Sequence, residues 1–417
     1  MNKWGLVLVL LSTLSAVKAE QEWSEDWGDS WQDTKDTQLF QGFIEYARGQ
    51  KIQPATGTNE SLNELRARIE WQDTFKKVKV EFKADAYYDA LLSKSEGGEV
   101  RELNALIPLG DQVELTLGRQ ILTWGTGDYL FINDLFPKDW QSFFIGRDDE
   151  YLKAPSDAVK LDIFSKHINF NLVYSPQFDS DRYIDGTRLS FYLPGSGILQ
   201  PVGLNVQRPD DNEVSLRAYG KLNAIEWAVY GYRGFFNSPE GINTNSELFF
   251  PRLRVLGASL RTTIGAGVGH IELGSFASLD DTSGNNPNIP NSRTKLLLGY
   301  EQELVTNLTA GLQWQSEKIA DVTAPTAALE PSQQKWQNLL TLRLRHQALQ
   351  QKLTNNLFIF YSPTDRDHHL RLSSQYRYDD HWSFTLGLMW FEGKTTETFW
   401  AQFQENNNVY FRTRYNF

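Results

Sequence analysis

The sequence predicts an all-β protein, a transmembrane antiparallel β-barrel of about 18 strands (16–20), with short periplasmic turns and long extracellular loops. Three observations predict it. Strand after strand alternates an apolar face with a charged one. Short turns and long connections succeed each other regularly along the chain. The last strand alternates to the final residue, Phe417.

The chain opens MNKWGLVLVLLSTLSAVKA. Lys3 supplies a positive start, Gly5–Val17 an apolar stretch, and Val17 and Ala19 small residues at −3 and −1 of a cut before Glu20. That is the pattern of a secretory signal, expected over residues 1–19, and it is too short for a membrane helix. Residues 20–36 read EQEWSEDWGDSWQDTKD, an acidic segment with Trp23, Trp27 and Trp31 every four residues. That spacing would stack the rings on one side of a short helix, but Gly28 and the brevity make it marginal. The segment is expected to dock a periplasmic or inner-membrane transporter partner, to lie against the inner leaflet or to fill the lumen, or else to be a free periplasmic tail.

The barrel is expected over residues 37–417. In Val78–Tyr88, the residues Val78, Val80, Phe82, Ala84, Ala86 and Tyr88 alternate with Lys79, Glu81, Lys83, Asp85 and Tyr87. Leu65, Ala67, Ile69 and Trp71 alternate with Glu64, Arg66, Arg68 and Glu70. A soluble sandwich would bury its apolar faces against each other. A membrane barrel turns them to lipid and lines its lumen with the polar set. Short turns fall near Asp73–Lys76, Gly110–Gln112, Ser165–His167, Leu222–Ala224, Ile264–Val268, Val305–Asn307, Ala348–Gln351 and Tyr378–His381. Nine longer connections lie between them, the third being Gly125–Ser156. Val409, Phe411, Thr413, Tyr415 and Phe417 share one face of the last strand. With Tyr415 and Phe417 at its end, this strand resembles the signature by which the barrel assembly machinery recognises bacterial outer-membrane barrels.

Composition narrows the function. The net charge of −11 argues against nucleic acid, which needs a basic face. There is no cysteine, so disulfides and thiolate metal sites are excluded. The six histidines show no metal-ligand spacing, and Asp148–Glu150 reads as a solvated acidic run rather than a calcium site. No cofactor is expected. No nucleotide motif supplies energy, the G-x-S-x-G elbow of serine hydrolases is absent, and His369 and Ser373, four apart on one face, stand widely separated; an Asp/His protease site keeps an outer-membrane barrel hydrolase open as the alternative. A structural or interaction barrel is the other alternative.

The stretch Leu117–Trp140, LGRQILTWGTGDYLFINDLFPKDW, resembles monomeric outer-membrane barrels of the alginate-export type. It also resembles barrels encoded beside RND-type exporters of lipids and hydrophobic compounds. The resemblance implies a passage for small or hydrophobic solutes, coupled to an inner-membrane exporter, in the lipid of a Gram-negative outer membrane. Its place in strand order also resembles the porin loop that folds into the barrel and narrows it. On that expectation Asp128, Asp134 and Asp139 line a constriction, with Trp124, Tyr129, Phe131, Phe136 and Trp140 beside them. The alternative is a loop packed outside the barrel.

Two further expectations concern charge. Strict alternation would aim Arg119 at lipid, and a bulge at Gly118 is expected to turn it inward. Arg343 and Arg345, Arg371 and Arg377, and Arg412 and Arg414 share inward parity, and with Arg66 and Arg68 they form a basic wall. Glu81, Asp85, Asp89, Glu102, Glu114 and Asp162 make an acidic stretch beside it. Either the lumen is polarised across its width, or these charges pair locally.

Overall fold

A computed structural model describes residues 40–52, 59–189, 191–193, 197–199, 205–245, 247–320 and 334–417. The signal sequence, the acidic tryptophan segment and the cut before Glu20 lie outside them.

Eighteen strands form one closed antiparallel sheet. They are β1 (Gln41–Lys51), β2 (Glu60–Phe75), β3 (Val78–Asp89), β4 (Glu96–Pro108), β5 (Val113–Ile121), β6 (Pro155–Ile163), β7 (Asn169–Ser175), β8 (Glu213–Leu222) and β9 (Ile225–Phe235). The second half holds β10 (Arg252–Ile264), β11 (Gly267–Ser278), β12 (Arg293–Val305), β13 (Leu308–Ile319), β14 (Trp336–Ala348), β15 (Leu353–Ser362), β16 (Asp367–Arg377), β17 (Trp382–Gly393) and β18 (Asn408–Asn416). Each strand pairs with the next, and β18 closes on β1 from Asn416 opposite Phe43 to Asn408 opposite Lys51. Closure removes every sheet edge, as a bilayer requires. The short turns stand where the sequence places them, and Asn223 and Asn307 supply left-handed residues, a conformation Asn tolerates.

The alternation resolves as expected. Ile44, Leu65, Leu117, Val229, Leu312 and Leu386 stand exposed on the outer face, while Arg66, Asp85 and Arg412 lie buried inside. Val409, Phe411 and Phe417 of the terminal face are exposed outward, and Tyr415 packs on Trp382 with ring centres 5.0 Å apart. Strands about 4.8 Å apart and tilted about 40° give 18 strands a backbone diameter of about 36 Å. Such a cylinder needs something inside it unless it is a wide pore.

Arg119 departs from the expectation. Both ladders of β5 run through Gly118 without a register shift, so no bulge turns Arg119 inward. Its guanidinium stays on the outer face, 2.9 Å from Asp157 of β6, and donates to the Val100 carbonyl at 2.7 Å. Arg119 is therefore not a lumen residue. It lies two residues from the extracellular end of its strand, where a charge toward lipid costs only about 0–1 kcal/mol. Gly118 serves another purpose. Its φ of 116° is left-handed territory, and a Cβ there would stand 2.3 Å from the Leu103 carbonyl oxygen. The bulge falls one strand earlier: Lys83 faces Glu102 and Ala84 faces Val100, skipping Arg101. Arg101 thereby turns inward and is 1% exposed.

Candidate functional site

The loop between β5 and β6, residues 122–154 and hereafter L3, folds into the barrel. Its first turn is held by Glu272, an inward residue of β11. That carboxylate accepts the Gly127 N–H at 2.9 Å, the Asn133 N–H at 3.2 Å and side chain at 2.8 Å, the Thr126 hydroxyl at 3.0 Å and the Thr126 N–H. Asp134 bonds Thr123 at 2.8 Å and Lys138 at 3.0 Å, fixing the next bend. Asp139 caps the short helix Trp140–Ile145, accepting the Ser142 N–H at 2.8 Å, and also holds Arg182 at 3.1 Å. Gly146 ends the helix at φ 86°, and a Cβ there would meet the Tyr410 ring at 2.5 Å. Arg101 secures the far end of L3 by donating to the carbonyls of Glu150 at 3.2 Å and Lys153 at 2.8 Å.

The acids of L3 meet the arginine wall. Asp128 lies 2.9 Å from Arg343, and Asp149 lies 2.6 Å from Arg371. Asp148 lies 3.3 Å from Arg412 and 3.4 Å from Arg414, while Glu150 pairs with Arg68. In return Arg147 pairs with Glu64, and the Tyr151 hydroxyl donates to Asp85 at 2.8 Å. Arg66 and Arg68 also bind Asp85, at 3.0 and 2.6 Å across the β2–β3 ladder. The wall is thus met partly by cross-strand pairs and chiefly by the loop. Asp128, Asp134, Asp139, Arg343, Arg371, Arg412 and Arg414 all engage protein partners. Arg345 and Arg377, nearer the periplasmic end, are exposed and have no ion-pair partner among the described residues.

An aromatic cluster completes the docking. Phe143 and Phe144 of L3 pack among Phe360, Phe391, Trp400 and Phe403. His369 stacks on Phe391 with ring centres 4.1 Å apart, and its Nδ1 lies 3.1 Å from the Trp390 carbonyl oxygen. Buried among rings, it has no hydrogen bond to Ser373 or Ser374; Ser374 donates to Asn355. Asp148, Asp149 and Glu150 spend their charge on arginines rather than gathering round one cation.

On the opposite side, L3 packs against β8–β10: Asn133 donates to the Ala258 carbonyl at 3.3 Å and the Trp124 and Tyr230 ring centres lie 6.1 Å apart, around a cavity of about 10 Å³ lined by Trp124, Phe136, Ser215, Tyr230, Tyr232 and Val255. Arg217 of β8 lies over Tyr219, 4.3 Å from the ring centre, and 5.8 Å from that of Tyr230. No carboxylate pairs with it among the described residues, and its Nε is buried without a partner.

Burial alone would push the Asp148 carboxyl up; Arg414 and Arg412 outweigh it and hold it at about 2. A carboxyl depressed in this way contributes its full stabilisation above its free value near 4, and loses it as pH falls toward 2. L3 should therefore stay seated from neutral to mildly acidic pH and loosen below about pH 3. Single-channel records should show flat conductance down to that range and larger, noisier steps beneath it.

Glu272, Arg101 and Arg217 were not singled out by the sequence. Glu272 had one visible signal, a lone acid between Ile271 and Leu273.

No family model matches the chain, and no curated protein matches it. Solved structures do. OccAB3 of Acinetobacter baumannii is similar at a TM-score of 0.53 and 11% identity, over 91% of this chain and 98% of that one. OccK5 (OpdH) of Pseudomonas aeruginosa matches at 0.53 and 11%, over 90% and 96%. OccD3 (OpdP) of the same organism matches at 0.51 and 11%, over 91% and 90%. At this identity the likeness is one of fold, that of outer-membrane barrels; the alginate-export and exporter-linked resemblances of Leu117–Trp140 are not shown by it.

Proposed function

We propose that the protein is a narrow, porin-like channel of the outer membrane, and that solutes pass between L3 and the β8–β10 wall. One observation carries this reading. L3 is held on the basic half of the lumen by ion pairs, whereas toward β8–β10 it meets an uncharged aromatic seam with a small cavity lined by Trp124, Phe136, Tyr230 and Tyr232. Aromatic walls favour small solutes with apolar surface, and Arg217 adds an uncompensated positive charge beside them. Coupling to an inner-membrane exporter would extend this reading through residues 20–36.

Flux into proteoliposomes tests it. Small aromatic solutes should enter faster than sugars of equal size, and anionic ones faster than cationic ones. Trp124→Ala should erase the first preference and Arg217→Gln weaken the second. Equal entry of all four solutes, unchanged in both variants, would refute the proposed route.

A further inference from the structure

The outer face carries one arrangement that the channel reading does not use. At the extracellular ends of β9 and β10, Arg233 and Arg254 stand directly opposite each other in the ladder. Both are exposed on the lipid-facing parity, above Val229 on one strand and Leu256 and Leu260 on the other.

Several other charges at this rim come in opposite-sign pairs, and Lys318 lies over the Trp336 ring. Arg48 faces Glu60 at 2.9 Å, Arg119 faces Asp157 at 2.9 Å, and Arg252 holds Asp280 at 2.6 Å. His368 lies 4.0 Å from Glu392. Arg233 and Arg254 have no acidic partner among the described residues, and the nearby Asp280 is already taken by Arg252. Like charges directly opposite in a ladder destabilise it unless an anion joins them.

Their height suits a lipid headgroup. Ile264, at the periplasmic end of β10, lies ten positions beyond Arg254. At about 3.4 Å per residue and a tilt near 40°, that is about 26 Å, the height of the apolar band. The flanking positions are apolar: Val214 opposite Arg233 and Ala277 opposite Arg254. Gly231, next below Arg233 on the same face, leaves an open notch.

We propose that Arg233 and Arg254 form a seat for the phosphate of an outer-leaflet lipid, whose acyl chains run down the apolar column beneath. Two guanidiniums grip one phosphate by paired N–H···O bonds, which a single lysine would not do. The pair's place at the top of a lipid-facing surface selects a membrane phosphate over a dissolved one.

Native mass spectrometry of the barrel from nanodiscs tests this. The discs contain phosphatidylcholine with either a bisphosphorylated glycolipid or its dephosphorylated form. Wild type should retain the phosphorylated lipid, and the dephosphorylated one roughly tenfold less. Arg233→Gln with Arg254→Gln should lose that preference, whereas Arg252→Gln keeps it. Equal retention of both lipids by wild type overturns the seat, and this comparison needs no variant to fold. A double variant that keeps the preference overturns the assignment to this pair. Displacement of the lipid by dilute inorganic phosphate overturns the choice of a lipid anion.

Discussion

Replacing residues 124–152 by a short turn should raise single-channel conductance several-fold and make the pore anion-selective. Ile121 and Pro155 sit directly opposite each other, so about four residues can close the β5–β6 hairpin without disturbing either ladder. The loop fills a cylinder whose backbone diameter is about 36 Å, and without it 18 strands enclose a wide aqueous lumen. Arg343, Arg371, Arg412 and Arg414 would then face water with their L3 carboxylates gone. Anions should be favoured accordingly. Barrel heat-stability on gels should fall modestly, because the closed hydrogen-bond ladder remains. Unchanged conductance would mean that L3 is not the constriction.

Neutralising the wall should also open the pore, with the opposite selectivity. Arg343→Gln, Arg371→Gln and Arg412→Gln together take partners from Asp128, Asp149 and Asp148. These pairs are only part-buried, so losing each arginine costs less than the about 3–5 kcal/mol of a fully buried pair, but the three losses fall together on L3. Loops open locally at far lower cost than a barrel unfolds. The triple variant should therefore release L3 while the barrel stays folded, giving larger, fluctuating steps and a turn toward cations. Bilayer recordings with ion gradients read both. A quiet, wild-type-sized, anion-preferring pore would show that these pairs do not hold the loop.

Much of this was legible in the residues. Val78–Tyr88 alone shows which face meets lipid, because a face of Lys79, Glu81, Lys83 and Asp85 cannot. The wall arginines were legible by parity. What they touch was not, since Asp128 and Arg343 or Asp149 and Arg371 lie more than 200 residues apart, and no local pattern pairs them. Arg119 misled for a different reason. Alternation reports the face of a residue but not its height, and near the rim an outward arginine needs only Asp157. Arg101 was hidden by the converse fault, a bulge that breaks parity and leaves no mark in the apolar pattern. The Leu117–Trp140 stretch stood out before its purpose was known; most of it encodes the path of L3 from Glu272 to the capped helix.

The central claim, a passage between L3 and β8–β10, is tested most directly by single cysteines, since the chain has none of its own. Ser215 lines the small cavity between L3 and β8–β10, whereas Thr341 points inward on β14, on the docked side of L3. Bilayer current is recorded through Ser215→Cys and Thr341→Cys while a small charged thiol reagent is added. The account predicts that current through Ser215→Cys falls on labelling and recovers with reductant, and that current through Thr341→Cys does not move. Block at Thr341→Cys with none at Ser215→Cys, or no current from either folded barrel, would contradict it.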